Sequence, residues 1–112
     1  MTTSPIQDVA SALILAEHRP TGEPANQLRT RLRSRIRHVI EPAARYAEAM
    51  PDGRARDIAT DTVRYARRLS TRTEFRDPAA ELRLLAKSLE TLSRYAAAAD
   101  APDDAKHQRA AE

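Results

Sequence analysis

The chain has no cysteine, no tryptophan, two glycines and four aromatic residues in 112. Each scarcity removes a class of chemistry. Without cysteine there is no disulfide framework, thiolate metal site or cysteine nucleophile. With glycine only at Gly22 and Gly53, there is no phosphate-cradling loop, dinucleotide fingerprint or Gly-x-Ser-x-Gly elbow, because each needs glycine at fixed places. Tyr46, Tyr65, Phe75 and Tyr95 are too scattered to form the stacking platform of an RNA-binding module. No apolar run approaches the ~20 residues that span a bilayer. Residues 1–5 lack the basic stretch and apolar core of a secretory leader. A cytoplasmic protein is expected, with no cofactor and no membrane association.

Arginine and alanine are what the chain has in abundance. Of its 19 basic residues 17 are arginine, against 16 acids, for a net charge of +3. Alanine accounts for 22 residues. Alanine buries little area, so the core rests on about two dozen larger side chains, each stabilising by roughly 1.5–3 kcal/mol when fully buried. Small domains bury a smaller share of their surface, and a thin core of this kind gains from self-association. A homodimer or a protein partner is therefore expected.

The apolar periodicity reads as four helices and no strand. The first runs from about Pro5 to Glu17, with Ser4 as N-cap and Gln7 completing a capping box. Its apolar face is expected to be Ile6, Val9, Ala10, Leu13 and Ile14. Two prolines and a glycine between His18 and Pro24 end it. The second helix runs from about Pro24 to Met50, with Leu28, Leu32, Ile36, Val39 and Ala43 inward. Pro42 removes one backbone donor and crowds the His38 carbonyl, which predicts a kink.

Pro51-Asp52-Gly53 is a turn. The third helix, from about Arg54 to Ser70, is expected to bury Ala55, Ile58, Ala59, Thr62, Ala66 and Leu69, with Val63 and Tyr65 at the margins. Phe75, in the following loop, is expected to fold back as a lid. Asp77 caps the fourth helix and Pro78 opens it. Leu82, Leu85, Leu89, Leu92 and Ala96 follow a 3-4-3-4 spacing, with Leu84 off that seam. The expected fold is all-α: a four-helix bundle over residues 1–99 with a long kinked second helix, and a polar, disordered tail over 100–112.

The segment from Leu28 to Ile40 places five arginines at alternate positions, Arg29 to Arg37, with no acid among them. At 100° per residue, Arg29, Arg33 and Arg37 fall on one side of the buried seam, and Arg31 and Arg35 on the other. Their stems can cover the seam while their heads reach water or acids on neighbouring helices. Alternatively, Arg29, Arg33 and Arg37, with Arg67 and Arg68, form a polyanion-binding surface. The first reading is favoured, because charge runs at helical spacing are common on solvated faces. Asp52, Asp57 and Asp61 would repel phosphates from the helix after the turn, which argues against a helix-turn-helix.

Metal binding is not expected. His18, His38 and His107 show no ligand spacing, and Asp57 with Asp61, or Asp103, Asp104 and His107, supply too few donors in too loose a pattern. Asp57 reads instead as a favourable first-turn charge and Asp61 as a partner for Arg64. No catalytic constellation is found, so an enzyme is not expected. Tyr46, Tyr65 and Phe75 are candidates to line a pocket between helices, although such tyrosines commonly sit at core edges.

Two stretches carry a resemblance. Val63-Arg64-Tyr65-Ala66-Arg67-Arg68-Leu69, and the run from Asp77-Pro78-Ala79-Ala80-Glu81-Leu82 to Leu89, resemble a small all-helical actinobacterial domain of unknown function. Members of that family carry the label "natural product biosynthesis protein". The long helix from Leu28 to Met50 fits the same layout, and the resemblance covers about residues 6–98. It implies an accessory to secondary metabolism and supplies no catalytic residues. Three functions remain open: a non-enzymatic interaction or accessory protein, a nucleic-acid-associated regulator using the arginine-rich helix, and a small-molecule-binding bundle. The first is the leading expectation, and nucleic acid is a less favoured partner.

Overall fold

Ser4 starts the first helix as its spacing predicts. In the computed structural model, which describes residues 4–72 and 77–99, Ser4 Oγ accepts from the Gln7 amide at 3.2 Å. Gln7 Oε1 accepts in return from the Ser4 amide at 3.1 Å. This capping box satisfies two amides that the helix itself leaves unpaired. Helix α1 spans Pro5–His18, α2 Glu23–Ala49, α3 Arg54–Thr71 and α4 Pro78–Ala99. Asp77 caps α4 with one carboxylate oxygen, which accepts from the Ala79 and Ala80 amides at 3.0 and 3.1 Å. Helix α2 continues unbroken through Pro42, so the periodicity across the proline belongs to one helix. Phe75 and residues 100–112 lie outside the described residues.

Helices α2 and α3 begin differently. Their N-caps are Gly22 and Gly53, neither with a side-chain cap. Both glycines have positive φ, +100° and +151°, with ψ near 180°, a region essentially closed to residues with a Cβ. A Cβ at either site would meet nothing within 4 Å. Backbone strain alone therefore reserves these two turns for the chain's two glycines.

Side-chain contacts give the helix directions. Arg29 near the start of α2 bonds Glu81 near the start of α4. Tyr46 near the end of α2 stacks on Tyr95 near the end of α4, with ring centroids 5.2 Å apart. The two helices therefore run the same way. In α3, Ser70 meets Arg37 and Arg67 meets Glu41, while Thr60 and Val63 lie beside Ala44 and Ala47, so α3 runs against α2. In α1, Asp8 near the start reaches Arg35, seven residues beyond Leu28 of α2, and the end of α1 leads into the start of α2. Helix α1 therefore also runs against α2. Successive helices alternate in direction, as short connections require.

The central pair is α2 with α4. Helix α1 packs chiefly on α4 and α3 chiefly on α2, and α1 does not pack against α3. The central pair supplies the large core residues: Leu28, Leu32, Ile36 and Ile40 from α2, and Leu82, Leu85, Leu89 and Leu92 from α4. The flanking helices contribute mostly small ones: Val9, Ala12 and Ala16 from α1, and Val63, Ala66 and Leu69 from α3. Alanine on the flanking helices lets them lie close to the pair, and the thin core follows from that arrangement.

Two expected faces are corrected. Helix α1 buries Asp8, Val9, Ala12 and Ala16 and leaves Ile6, Ala10, Leu13 and Ile14 exposed. Asp8 and Ile14 lie about 120° apart on the helix, so α1 cannot turn both inward, and the ion pairs of Asp8 determine its rotation. Helix α3 buries Val63 and exposes Ala55 and Ile58. Its contact face is Ala59, Val63, Ala66 and Ser70, which matches the alanines of α2. Turning Ile58 inward would hold those helices apart.

Replacing Gly22 or Gly53 by alanine should lower the unfolding free energy by about 1–3 kcal/mol each, measured by urea denaturation. An unchanged midpoint in both variants would contradict the assigned backbone conformations.

Candidate interaction surface

Two buried carboxylates organise the arginines of α2. Glu81 receives the Arg29 Nε–H at 2.6 Å and a second bond from Arg33 Nη2. The other Arg29 donors reach Asn26 Oδ1 at 3.1 Å, the Pro78 carbonyl at 3.0 Å and the Pro20 carbonyl. One guanidinium thus ties the α1–α2 connection, α2 and the start of α4 together. On the opposite side, Asp8 is 1% exposed. It accepts from Arg31 through Nε and Nη2 at 3.3 and 3.2 Å, and from Arg35 Nε at 2.6 Å. The split of the arginine run into two sets follows from helical spacing. Arg29 and Arg33 sit one turn apart facing α4, and Arg31 and Arg35 one turn apart facing α1.

This placement decides what the polyanion candidates offer. Arg29 is buried and each of its three side-chain nitrogens donates within the chain. Arg33 is half-buried against Glu81, and its Nε lacks a partner among the described residues. Arg37 donates to the Ser70 carbonyl at 3.1 Å. Arg67 pairs with the exposed Glu41 at 3.2 Å. Arg68 is exposed and makes no ion pair among the described residues. The five therefore do not form one open stripe. Two guanidiniums per carboxylate still leave each buried cluster with one net positive charge.

The pocket candidates are likewise not gathered together. Tyr46 is half-buried on Tyr95, Tyr65 is exposed on α3, and Phe75 lies outside the described residues. Neither tyrosine lines the cleft between α2 and α3, which is bordered by Ala44, Ala47, Glu48, Thr60, Val63, Arg64 and Arg67. Asp61 meets Arg64 at 3.3 Å, as their spacing predicts. Among the described residues no group of three His, Asp or Glu is placed to hold a metal ion, and no helix is long and apolar enough to cross a membrane.

Several large apolar side chains remain uncovered. On α1, Ile6 is 81% exposed, Ile14 60% and Leu13 36%, with Ala10 exposed between them. These positions form one stripe at spacings of three and four. Beside the stripe, Pro5, Ile6 and Val9 of α1 and Glu90, Ser93, Arg94 and Ala97 of α4 border a groove of about 350 Å³. The Ser93 hydroxyl is buried there and has no hydrogen-bond partner among the described residues. On α3, Ile58 and Tyr65 are exposed one heptad apart, and Leu84 stands singly on α4. Single exposed hydrophobics are ordinary, whereas a contiguous patch marks a contact site. The α1 stripe meets the second description best.

Sequence reasoning did not single out Asp8 or Glu81. A usable signal was present. Each acid falls next to a core position, beside Val9 or Leu82, and α2 offers arginine pairs at i, i+4 with no acid of their own.

The chain belongs to the DUF6415 family, a family of unknown function whose model matches residues 5–111. No curated protein and no solved structure matches it. The expected membership in an uncharacterised domain family therefore holds.

The enclosure of their arginine partners, greatest for Arg29 and least for Arg64, ranks the acids. Substituting Glu81→Gln leaves the enclosed Arg29 uncompensated and should destabilise the fold by about 3–5 kcal/mol. Asp8→Asn should cost less, because Arg31 and Arg35 can turn towards water. Asp61→Asn, in an exposed pair, should cost less than about 1 kcal/mol. Urea unfolding of the three variants checks this order, and equal effects would contradict it.

Proposed function

We propose that this member of the DUF6415 family is a non-enzymatic interaction protein whose binding face is the apolar stripe of α1. The exposure of Ile6 and Ile14 carries the reading. Two isoleucines on one helix face remain in water because Asp8 holds the opposite side of the helix inward. Covering them would gain hydrophobic free energy of roughly 25 cal/mol per Å².

The resemblance noted in the sequence supports an accessory role in the secondary metabolism of an actinobacterium. It also supports placing the protein in the cytoplasm. The arrangement of the arginines supports the same reading, since most of those on α2 serve the chain's own carboxylates and carbonyls. A nucleic-acid-associated regulator is the second reading. It draws on the net positive charge of each buried cluster and on Arg68.

Light scattering coupled to size exclusion, at low and high salt, separates the two. The interaction reading predicts an assembly that persists in high salt and is lost in Ile14→Glu, a variant whose helix content stays unchanged because the site is exposed. Co-elution with nucleic acid at low salt would favour the regulator instead. That binding would fall with salt at a log–log slope of about −0.9 per phosphate contacted, a slope flattened by neutralising Arg37, Arg67 and Arg68.

A further inference from the structure

Deepening that interaction reading, and resting on it, we infer that the partner of the α1 stripe is a second copy of this chain. The two α1 helices pair antiparallel about a twofold axis at Ala10, and Glu17 of each copy meets Arg94 of the other.

An isologous contact requires that if residue i meets j, then j meets i. The stripe has that property. Ile6 and Ile14 lie four residues to either side of Ala10, so antiparallel pairing sets Ile6 of one copy against Ile14 of the other, twice. Ala10 then faces Ala10 at the axis, where a small side chain allows helix axes to approach to roughly 8 Å. The stripe between Ile6 and Ile14 carries no charge, and nothing along it repels its own copy.

The flanking charges are complementary. At 100° per residue Glu17 continues the stripe, within about 20° of Ile6. It is exposed, and its ion pair among the described residues is with the exposed His18, at 3.9 Å. The pairing carries Glu17 past the second copy's Ile6 towards the start of that copy's α1. There Arg94 borders the groove and is exposed, with no ion pair among the described residues. Glu90 lies one turn nearer the middle of the groove, away from that end. The start of α1 is also the positive end of its helix dipole, which favours an incoming carboxylate.

Residues 100–112 do not compete for the stripe on composition. They contain no Leu, Ile, Val, Met or aromatic residue with which to fill a surface of isoleucines. Size sets the strength of the contact. A helix of 14 residues is about 21 Å long, and one such pair buries less than the ~1,200 Å² of a standard stable interface. The dimer is therefore weak and concentration-dependent, and one buried charge suffices to break it.

The absence of cysteine makes the test direct, since Ala10→Cys gives the full chain a single thiol at the proposed axis. Under mild oxidation, at concentrations where light scattering detects dimer, Ala10→Cys should be captured mainly as a disulfide-linked dimer. Ile58→Cys on α3 should not be cross-linked under the same conditions, and adding Ile14→Glu to Ala10→Cys should abolish the cross-link. Glu17→Arg should weaken the unlinked dimer several-fold, and Arg94→Glu in the same chain should restore it. A dimer that is lost in Ile14→Glu but does not cross-link through Ala10→Cys overturns the antiparallel pairing and leaves the α1 stripe as the binding face, whereas a dimer that survives Ile14→Glu overturns both. A chain that stays monomeric at every concentration overturns self-association itself.

Discussion

The rest of this fold depends on two buried carboxylates holding the arginines of one helix. Asp8 from α1 and Glu81 from α4 are each enclosed, and each receives two guanidiniums from α2. Removing a carboxylate from water is expensive unless its charge and lone pairs are answered. Here they are answered by arginines projecting from both margins of the α2 seam. Hydrophobic burial brings α1, α2 and α4 together, but it is non-directional. The ion pairs add direction: they fix the rotation of α1 and the height of α4 along α2. Arg29, which also reaches the carbonyls of Pro20 and Pro78, joins the first connection to the start of the last helix.

The rotation of α1 has an outward consequence. With Asp8, Val9, Ala12 and Ala16 turned in, the most apolar side chains of that helix turn out. A helix chosen for core packing alone would have buried Ile6 and Ile14 and exposed its aspartate. The chain adopts the reverse, and covering the stripe would recover the cost of that reversal. The same polar contacts that position α1 therefore leave its apolar face outward, and the structural role of the arginines and the proposed interaction share one cause.

Much of the architecture was legible in the residues. The capping box at Ser4 and Gln7, the Asp77-Pro78 start of α4, the continuity of α2 through Pro42 and the leucine seam of α4 all follow from local rules acting within a single helix. The face of α1 was not legible and that of α3 only in part, with Ala59, Ala66 and Leu69 buried as expected, and the reason is physical. Periodicity identifies an apolar stripe, but a short helix with two competing faces is oriented by its tertiary partners. On α1 the competing face is held by an aspartate whose arginines lie 23 and 27 residues away. On α3 the close fit of alanine against alanine outweighs the larger Ile58. The candidate site was partly legible. The two arginine sets follow from spacing, whereas their carboxylate partners are long-range contacts that no local pattern names.

The most direct test of this account is a double-mutant cycle between Arg29 and Glu81, using Arg29→Gln, Glu81→Gln and the double variant in reversible urea unfolding. Residues that share one buried network should show a coupling energy of about 1.5–3 kcal/mol, with the double variant less destabilised than the sum of the singles. Additivity to within about 0.5 kcal/mol, the behaviour of independent sites, would contradict the claim that this pair holds α2 to α4.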